Sequence, residues 1–317
     1  MTDAENSILN RIGNTPLIAL KTLAPEGSAR VFLKIESENP TGSMKDRMAL
    51  AMIEAAERDG RLRPGAPVVE YTGGSTGVSL AMVCAVKGYS LHIVSSDAFS
   101  IEKRRHMQAL GADLTVVASD RGRMDAALTR AMIAEADRIR RETGAFWTDQ
   151  LKNADQLAAY HAMGAEIWEQ TDGAVDAFVQ ATGTAASARG VSEFLKARRR
   201  SIRTVAIEPT ESAVHSGGET GAHRIEGVGA GFVVPLWDPS PIDEVATVST
   251  GDAMAMARRL AREEGIFAGT STGANLIVAL RVAGDLGPNH CVVTIMCDSG
   301  VKYLSTELYN RTDQADE

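Results

Sequence analysis

Short apolar runs alternate with amphipathic stretches along most of the chain. Strand-like runs lie at 29–35, 67–71, 91–95, 113–118, 175–181, 204–208 and 291–297. A helical period is found at 77–86, 101–110, 124–142, 154–170, 187–199, 251–264 and 272–286. Mostly apolar strands that alternate with helices are typical of a parallel sheet covered on both faces. Because the alternation restarts after Gly144, we predict an α/β fold of two lobes, each a mainly parallel twisted sheet flanked by helices.

The position of the functional site follows from that architecture. In parallel α/β sheets, ligands bind outside the carboxyl ends of the strands, and clefts between lobes are common binding sites. We therefore expect the site between the two lobes. A long glycine-rich stretch, 209–241, has no clear period and is predicted to be irregular.

Composition narrows the function classes. The net charge of −8 over 317 residues argues against nucleic acid or an anionic membrane as partner. No apolar run is long enough for a transmembrane helix, and the acidic first five residues do not resemble a secretory signal. Cys84, Cys291 and Cys297 lack zinc-ligand spacing and lie in apolar runs, so we expect buried thiols, no metal and a cytoplasmic location.

Lys45 stands at the beginning of a predicted helix. Pro40 and Gly42 break the preceding run, and an amphipathic pattern follows from Met44 to Ala56. A helix start is electropositive and disfavours a second cation. A lysine there is well placed to be an amine of lowered pKa that forms a Schiff base, although a solvated surface lysine is the alternative.

Three loops rich in glycine and hydroxyl groups each open a predicted helix. They read Thr72-Gly73-Gly74-Ser75-Thr76-Gly77, Gly183-Thr184-Ala185-Ala186-Ser187 and Gly269-Thr270-Ser271-Thr272-Gly273-Ala274. Glycines let the backbone approach a ligand, and helix N-termini bind anions. Each loop could also be an ordinary strand-to-helix turn, so none identifies a function alone.

Together these segments resemble a known family. Ser43-Met44-Lys45-Asp46-Arg47 after Asn39-Pro40, the early Gly13-Asn14-Thr15-Pro16-Leu17, the three loops, and 225–232 (IEGVGAGF) are similar, in that order, to motifs of the cysteine synthase and cystathionine β-synthase family, pyridoxal phosphate fold type II. The resemblance implies pyridoxal 5'-phosphate bound covalently to Lys45, which also serves as general base. It implies a smaller mobile lobe at 35–147, and a larger lobe of 1–34 plus 148–317 that carries the cofactor phosphate site.

The resemblance also assigns site residues. Those implied to bind the cofactor are Lys45, Ser75, Gly183, Thr184, Ala185, Ala186, Ser187 and Ser271. Those implied to bind the substrate are Thr72, Gly73, Gly74, Ser75, Thr76, Gln150 and Gly227. Ser271 would face the pyridine nitrogen, and a neutral partner there favours β-elimination and replacement over transamination.

Several positions depart from the family pattern. Ser75 replaces an asparagine that binds the cofactor's 3-hydroxyl, and we expect it to reach that hydroxyl through water. Gly73 replaces a serine. Ala185 and Ala186 replace two glycines; their methyl groups are expected to narrow the phosphate cup slightly, and their amides can donate if the local φ is negative.

Two further segments carry expectations of their own. Glu226 replaces a glutamine, and should repel a phosphorylated donor unless Arg224 offsets its charge. The closing motif, Asp298-Ser299-Gly300 with 302–306 (KYLST), is expected to be mostly structural.

The reaction implied by the resemblance is β-replacement on an O-activated L-serine. O-acetylserine and sulfide would give L-cysteine and acetate through an α-aminoacrylate. The altered loops leave three alternatives: a synthase of a specialised non-protein amino acid, a serine or threonine dehydratase, and an inactive paralogue that binds a partner. Members of the family are usually homodimers, so a homodimer is expected.

Overall fold

The computed structural model describes residues 7–122 and 124–310, so the acidic N-terminal residues discussed above lie outside it. In chain order its regular elements are β1 (Leu17–Ala19), β2 (Arg30–Ile35), α1 (Lys45–Arg58), β3 (Val68–Tyr71), α2 (Ser75–Lys87), β4 (Leu91–Ser96), α3 (Ile101–Ala109), β5 (Asp113–Val117), α4 (Ala126–Thr143), β6 (Phe146–Trp147), α5 (Gln156–Gln170), β7 (Ala177–Ala181), α6 (Ala186–Arg198), β8 (Arg203–Pro209), β9 (Glu244–Val248), α7 (Thr250–Glu264), α8 (Thr270–Leu286) and β10 (Cys291–Met296). Short 3-10 turns join some of them.

The strands form two sheets. One has the order β1-β2-β10-β7-β8-β9 and is parallel except for the β1–β2 pair. The other has the order β5-β4-β3-β6 and is parallel throughout. In the first sheet, β2 pairs along its whole length with β10, from Arg30 opposite Cys291 to Ile35 opposite Met296. The predicted α/β fold with two mainly parallel sheets is confirmed.

Local sequence accounts for where the helices begin and end. The side chain of Asp125 accepts a hydrogen bond from the Leu128 amide and caps α4, which ends at Gly144 in the left-handed conformation. Ser249 caps α7 in the same way, and Gly265 ends it. In contrast, α1, α2, α3, α5, α6 and α8 have no hydrogen bond to an N-cap side chain. In α1 the Lys45 amide donates instead to Ser43 Oγ, two residues before it.

Hydrophobic packing covers both faces of the sheets. Val31, Leu33, Val179 and Val292 belong to a cluster beneath α8, and Val68, Val78, Leu80 and Ile93 belong to one beneath α2. None of the helices in the described ranges is both long and apolar enough to cross a membrane. Every strand of the four-stranded sheet lies within 35–147 and the first sheet draws on both ends of the chain. The lobe boundaries and the mobility of the smaller lobe stay predictions.

Sequence reasoning missed two strands. β9 follows the irregular stretch 209–241 and has only five residues, of which Ala246 and Val248 are buried. β6 has two residues and pairs only with β3. Both are edge strands, where a short segment and one-sided pairing leave little periodic signal.

Candidate active site

One cavity collects most of the sequence-predicted site residues. It encloses about 1030 Å³ counted out to its open mouth, and the loops after β3, β7 and β10 contribute to its wall. The predicted residues that line it are Lys45, Thr72, Gly73, Gly74, Ser75, Thr76, Gln150, Gly183, Thr184, Ser187, Gly227 and Ser271. Of the predicted set, Ala185 and Ala186 are outside this lining. Loops from the carboxyl ends of both sheets thus meet at one place, as expected for parallel α/β sheets.

Lys45 is the first residue of α1 and is half-buried in the cavity wall. Its backbone is held by neighbours: the Met44 amide donates to the Cys297 carbonyl at 2.9 Å, and the Lys45 amide donates to Ser43 Oγ at 3.2 Å. Burial lowers the pKa of the Lys45 ammonium, while Cys297 and Asp298 nearby oppose that change. No acidic side chain in residues 7–122 and 124–310 forms an ion pair with it. Such an amine is free to react.

The two residues after Lys45 fix the helix that presents it. Asp46 accepts hydrogen bonds from the Thr41 hydroxyl and from Ser79 Oγ at 2.5 and 2.6 Å, which ties α1 to α2. Arg47 is buried and donates to Glu36 and Glu166, with each contact at 2.7 Å. In the Lys45-Asp46-Arg47 triplet, Lys45 therefore lines the cavity, and Asp46 and Arg47 hold the first turn of α1 in place.

Four helices begin at the cavity wall. Lys45, Ser75 and Ser271 lie in the first turns of α1, α2 and α8, and Ser187 lies in the first turn of α6. All four helices lack a side-chain N-cap. Because a helix N-terminus offers free amides and positive potential, this wall suits a ligand with a phosphate and a carboxylate.

The loop before α6 is a tight cradle in which glycine is required at one position. A Cβ built on Gly183 would lie 2.2 Å from the Gly227 carbonyl oxygen. Ala185 adopts a φ of +68°, the left-handed region that the sequence reasoning took alanine to resist. The methyl groups of Ala185 and Ala186 pack into two different hydrophobic clusters. The expected narrowing of the cup stays a prediction.

A buried polar chain links this cradle to the loop after β6. Thr184 Oγ1 donates to Gln156 Oε1 at 2.9 Å, and Gln156 Nε2 donates to the Gln150 carbonyl at 2.7 Å. The Gln150 amide donates to Glu70 Oε2 at 3.0 Å, and Gln150 Nε2 to the Tyr71 carbonyl at 2.7 Å. Burial raises the pKa of the Glu70 carboxyl to about 8. Gln150 lines the cavity with its side-chain amide bonded to the backbone, so Glu70 and Gln156 position it.

Ser75 makes a different contact from the one expected. Its hydroxyl donates to Asp298 Oδ2 at 2.9 Å, and the Tyr303 hydroxyl donates to the same oxygen at 2.9 Å. Asp298 and Tyr303 both line the cavity. The expectation that the closing motif is mostly structural is therefore wrong for these two residues, since they form part of the site wall.

The glycines of the Thr72–Gly77 loop make room for side chains from α3 and its N-terminal loop. A Cβ on Gly73 would lie 2.4 Å from Phe99 Cε1, and one on Gly74 would lie 2.5 Å from Lys103 Cδ. At position 73, where the family has a serine, the Phe99 ring occupies the space that a side chain would need, so only glycine fits. Phe99 and Lys103 are themselves buried and line the cavity.

Glu226 lines the cavity and is paired there with a lysine. Glu226 Oε2 lies 2.6 Å from Lys103 Nζ, whose ammonium also lies 4.0 Å from the centre of the Tyr303 ring. Arg224, the residue that could have offset the charge of Glu226, pairs with Glu307. Burial raises the pKa of the Glu226 carboxyl, and the neighbouring Lys103 works in the opposite direction.

Ser271 lies beside buried sulfur and amide groups. The Cys297 thiol contacts Ser271, and Asn275 Nδ2 donates to Cys297 Sγ at 3.4 Å. Gln180 Nε2 donates to Ser187 Oγ at 3.1 Å, so the hydroxyl of the α6 turn is oriented by the same group of amides. All three cysteines are buried and free, as the sequence predicted.

Sequence reasoning missed several residues that complete the wall, Phe99, Lys103, Gln180, Cys297 and Tyr303, and it missed Gln156, which bonds to Gln150 and Thr184 behind the wall. Gln180 and Cys297 stand in apolar runs, where a polar side chain in a buried strand is a usable signal. Lys103 and Phe99 lie in or beside a helix with several charges and give no such signal.

The residues fit a phosphate-bearing aldehyde cofactor. A buried lysine amine without an ion pair can form an imine, the cradle at Gly183 leaves no room for a side chain, and uncapped first-turn amides can receive a phosphate. Thr184, Ser187 and Ser271 add hydroxyl groups to the same cavity. These features define a pyridoxal-phosphate type of site.

Comparison with known proteins gives the same answer. The chain belongs to the family described as pyridoxal-phosphate dependent enzyme, whose model matches residues 8–298. It is 39% identical over 310 residues to a cysteine synthase of Staphylococcus aureus (strain N315), covering 97% of this chain and 98% of that protein. The predicted family and cofactor are confirmed.

Two solved structures are closely similar. A cysteine synthase from Entamoeba histolytica superposes with a TM-score of 0.90 at 36% identity, covering 98% of this chain and 92% of that one. An O-ureido-L-serine synthase superposes with a TM-score of 0.91 at 36% identity, covering 98% and 97%. The fold is therefore shared with enzymes of two different substrate preferences.

Proposed function

We propose that the protein catalyses β-replacement on O-acetyl-L-serine, with sulfide as the second substrate and L-cysteine and acetate as products. The observation that carries the proposal is the half-buried Lys45 amine, which lies in one cavity with the predicted loops and has no ion-pair partner among residues 7–122 and 124–310. Cysteine synthases that match the full length of the chain support the choice of substrates.

Lys45 has two tasks in this proposal. It would hold pyridoxal phosphate covalently, and when its amine is released it would take the substrate's α-proton and later return it. Burial lowers the pKa of the Lys45 ammonium, so more of the neutral amine is present near neutral pH than for an exposed lysine. When bound, the cofactor supplies the electron-withdrawing ring that lets a leaving group depart from Cβ.

The remaining residues would bind and orient. Gly183, Thr184, Ala185, Ala186 and Ser187 would hold the phosphate through backbone amides and hydroxyls at the start of α6. Ser271 would face the ring nitrogen.

The substrate carboxylate would be held on the opposite wall. Its ligands would be the loop Thr72–Thr76, which includes Gly73, Gly74 and Ser75, together with Gln150 and Gly227. These residues line the same cavity, and the α2 N-terminus adds positive potential there. Closure of the smaller lobe, proposed as 35–147, would exclude water.

The test is a product assay with purified protein loaded with cofactor. O-acetylserine plus sulfide should give cysteine and acetate in equal amounts, and a Lys45→Ala variant should give neither. Pyruvate and ammonia in place of cysteine would indicate a dehydratase. Release of no product from any O-activated serine would refute the proposal and favour an inactive paralogue.

A second candidate is a synthase of a non-protein amino acid. It is favoured by the similarity to an O-ureido-L-serine synthase, whose overlap with this chain is as complete as that of the cysteine synthases. Hydroxyurea in place of sulfide would then be the better second substrate, and competition between the two in one reaction mixture would decide.

We also propose that the protein acts as a homodimer in the cytoplasm, as expected for the family. Exposed apolar residues such as Ile8, Ile18 and Val116 provide surface that an interface could cover. Light scattering after size exclusion should give twice the 33.7 kDa chain mass, and a single-chain mass would contradict the dimer.

A further inference from the structure

A continuous row of polar contacts runs through the cavity wall from the Thr72–Thr76 loop to the mouth. Ser75 donates a hydrogen bond to Asp298, which also accepts one from Tyr303. The Lys103 ammonium lies over the Tyr303 ring and forms an ion pair with Glu226. The partners come from distant parts of the sequence. Two of them, Ser75 and Glu226, are also positions where the chain departs from the family pattern.

Lys103 is not available as a cation for ligands. Its ammonium lies 2.6 Å from Glu226 Oε2 and 4.0 Å from the Tyr303 ring centre, and its side chain is only 3% exposed. An anion that entered this part of the cavity would therefore meet one cation and two carboxylates, Glu226 and Asp298, the second of which accepts only from neutral hydroxyls. The other charged side chains in the lining are Lys45, Asp298 and Glu226.

Glu226 in contrast keeps hydrogen-bonding capacity. One of its oxygens accepts from Lys103, and no donor among residues 7–122 and 124–310 reaches Oε1. Its side chain is 11% exposed and lines both the main cavity and an adjoining one of about 990 Å³, which Arg224 and Glu307 also line. Glu226 thus lies in the wall that separates the two spaces.

The position of the pair relative to the substrate follows from Gly74. The Lys103 stem packs on Gly74, where a Cβ would be 2.5 Å from Cδ. A ligand held by the Thr72–Thr76 loop and reaching Lys45 therefore lies beside the Lys103–Glu226 pair. The adjoining cavity shares Glu226 and Tyr303 with this part of the wall.

We propose that Glu226, held by Lys103, is a specificity-determining residue that selects a neutral second substrate bearing an N–H, O–H or S–H donor over an anionic one. The proposal rests on the proposed β-replacement function and adds the chemical class of its acceptor. A carboxylate accepts a hydrogen bond from a neutral donor and repels an anion in a partly desolvated site. Hydroxyurea belongs to the favoured class and azide to the disfavoured one.

The test compares hydroxyurea and azide as second substrates in the holoenzyme and in Glu226→Gln, which has nearly the same shape and no charge. We expect kcat/KM for azide to rise and that for hydroxyurea to fall, so that their ratio changes by about tenfold or more. The matched control is Glu38→Gln, which removes an exposed carboxylate outside both cavities and should leave the ratio unchanged. An equal ratio in wild type and Glu226→Gln would overturn the proposal.

A binding measurement keeps the result independent of turnover. Calorimetric titration of azide into the holoenzyme should give an affinity about tenfold higher for Glu226→Gln than for wild type, and equal affinities would overturn the proposal. If Glu226→Gln does not fold, Glu226→Asp, which withdraws the carboxylate by one methylene, should shift both readouts in the same direction by less. Acetate release from O-acetylserine alone tests the β-replacement function separately, because it needs no second substrate.

Discussion

Replacing Gly183 by alanine is predicted to damage the site, while replacing Ala185 by glycine two residues later is predicted to be nearly neutral. The Gly183 methyl group would lie 2.2 Å from the Gly227 carbonyl oxygen, so two backbone segments have to move apart. Overpacking of this kind costs about 1–3 kcal/mol. The same movement would widen the cradle that is proposed to bind the phosphate. Both the cofactor affinity and the free energy of unfolding should therefore fall.

At Ala185 the contributions nearly cancel. Glycine relieves about 1–2 kcal/mol of left-handed strain at a φ of +68°. It also loses the burial of one methyl group, about 0.8 kcal/mol, and about 0.4–1 kcal/mol through a more flexible unfolded chain. The net change in the free energy of unfolding should therefore stay within about 1 kcal/mol of zero.

The assay is urea unfolding followed by tryptophan fluorescence, with cofactor affinity measured by equilibrium dialysis. Gly183→Ala should have a lower midpoint and weaker cofactor binding, and Ala185→Gly should match wild type in both. If Gly183→Ala kept wild-type stability and affinity, the reasoning about the cradle would be refuted. A large loss in Ala185→Gly would show that its methyl group matters more than the strain.

Two further predictions concern buried groups. Burial of the Glu166 carboxyl raises its pKa, but the ion pairs with Arg47 outweigh this effect and lower the pKa from 4.5 to about 2. The stability that these ion pairs provide is therefore complete above pH 4.5 and is lost as the pH falls towards 2. Glu166→Gln should therefore lose about 3 kcal/mol at pH 7 and show a weaker acid dependence in urea titrations. Burial raises the pKa of Cys84 to about 12 and of Cys291 to about 11, so neither thiol should react with iodoacetamide at pH 8 until the protein is unfolded; rapid labelling of the native protein would contradict their burial.

Periodicity identified most of the fold because strands and helices of this chain are long and strongly patterned. The helix predicted to begin near Met44 runs from Lys45 to Arg58, and the strand predicted at 291–297 is β10. Lys45 itself could be selected because Pro40 and Gly42 mark the start of its helix. Edge strands β6 and β9 were not predicted, since their pairing depends on neighbouring strands that a local sequence pattern does not reveal.

The wall around Lys45 was less accessible to sequence reasoning. Lys103 and Glu226 are 123 residues apart and meet only because the fold brings α3 against the irregular stretch between β8 and β9. Ser75 donates to Asp298, a partner far along the chain that the local sequence does not indicate. The glycines were correctly predicted to be places where another group comes close to the backbone. Which group does so, such as Phe99 at Gly73, depends on the tertiary structure and cannot be predicted from the local sequence.

The measurement that tests the central claim most directly is borohydride reduction of the holoenzyme followed by peptide mass spectrometry. Reduction locks an imine between pyridoxal phosphate and a lysine into a stable bond, so the modified peptide identifies the residue. The account predicts a single pyridoxyl-phosphate adduct on Lys45, and its disappearance in Lys45→Ala. An adduct on another lysine, or none on protein that retains the cofactor, would contradict it.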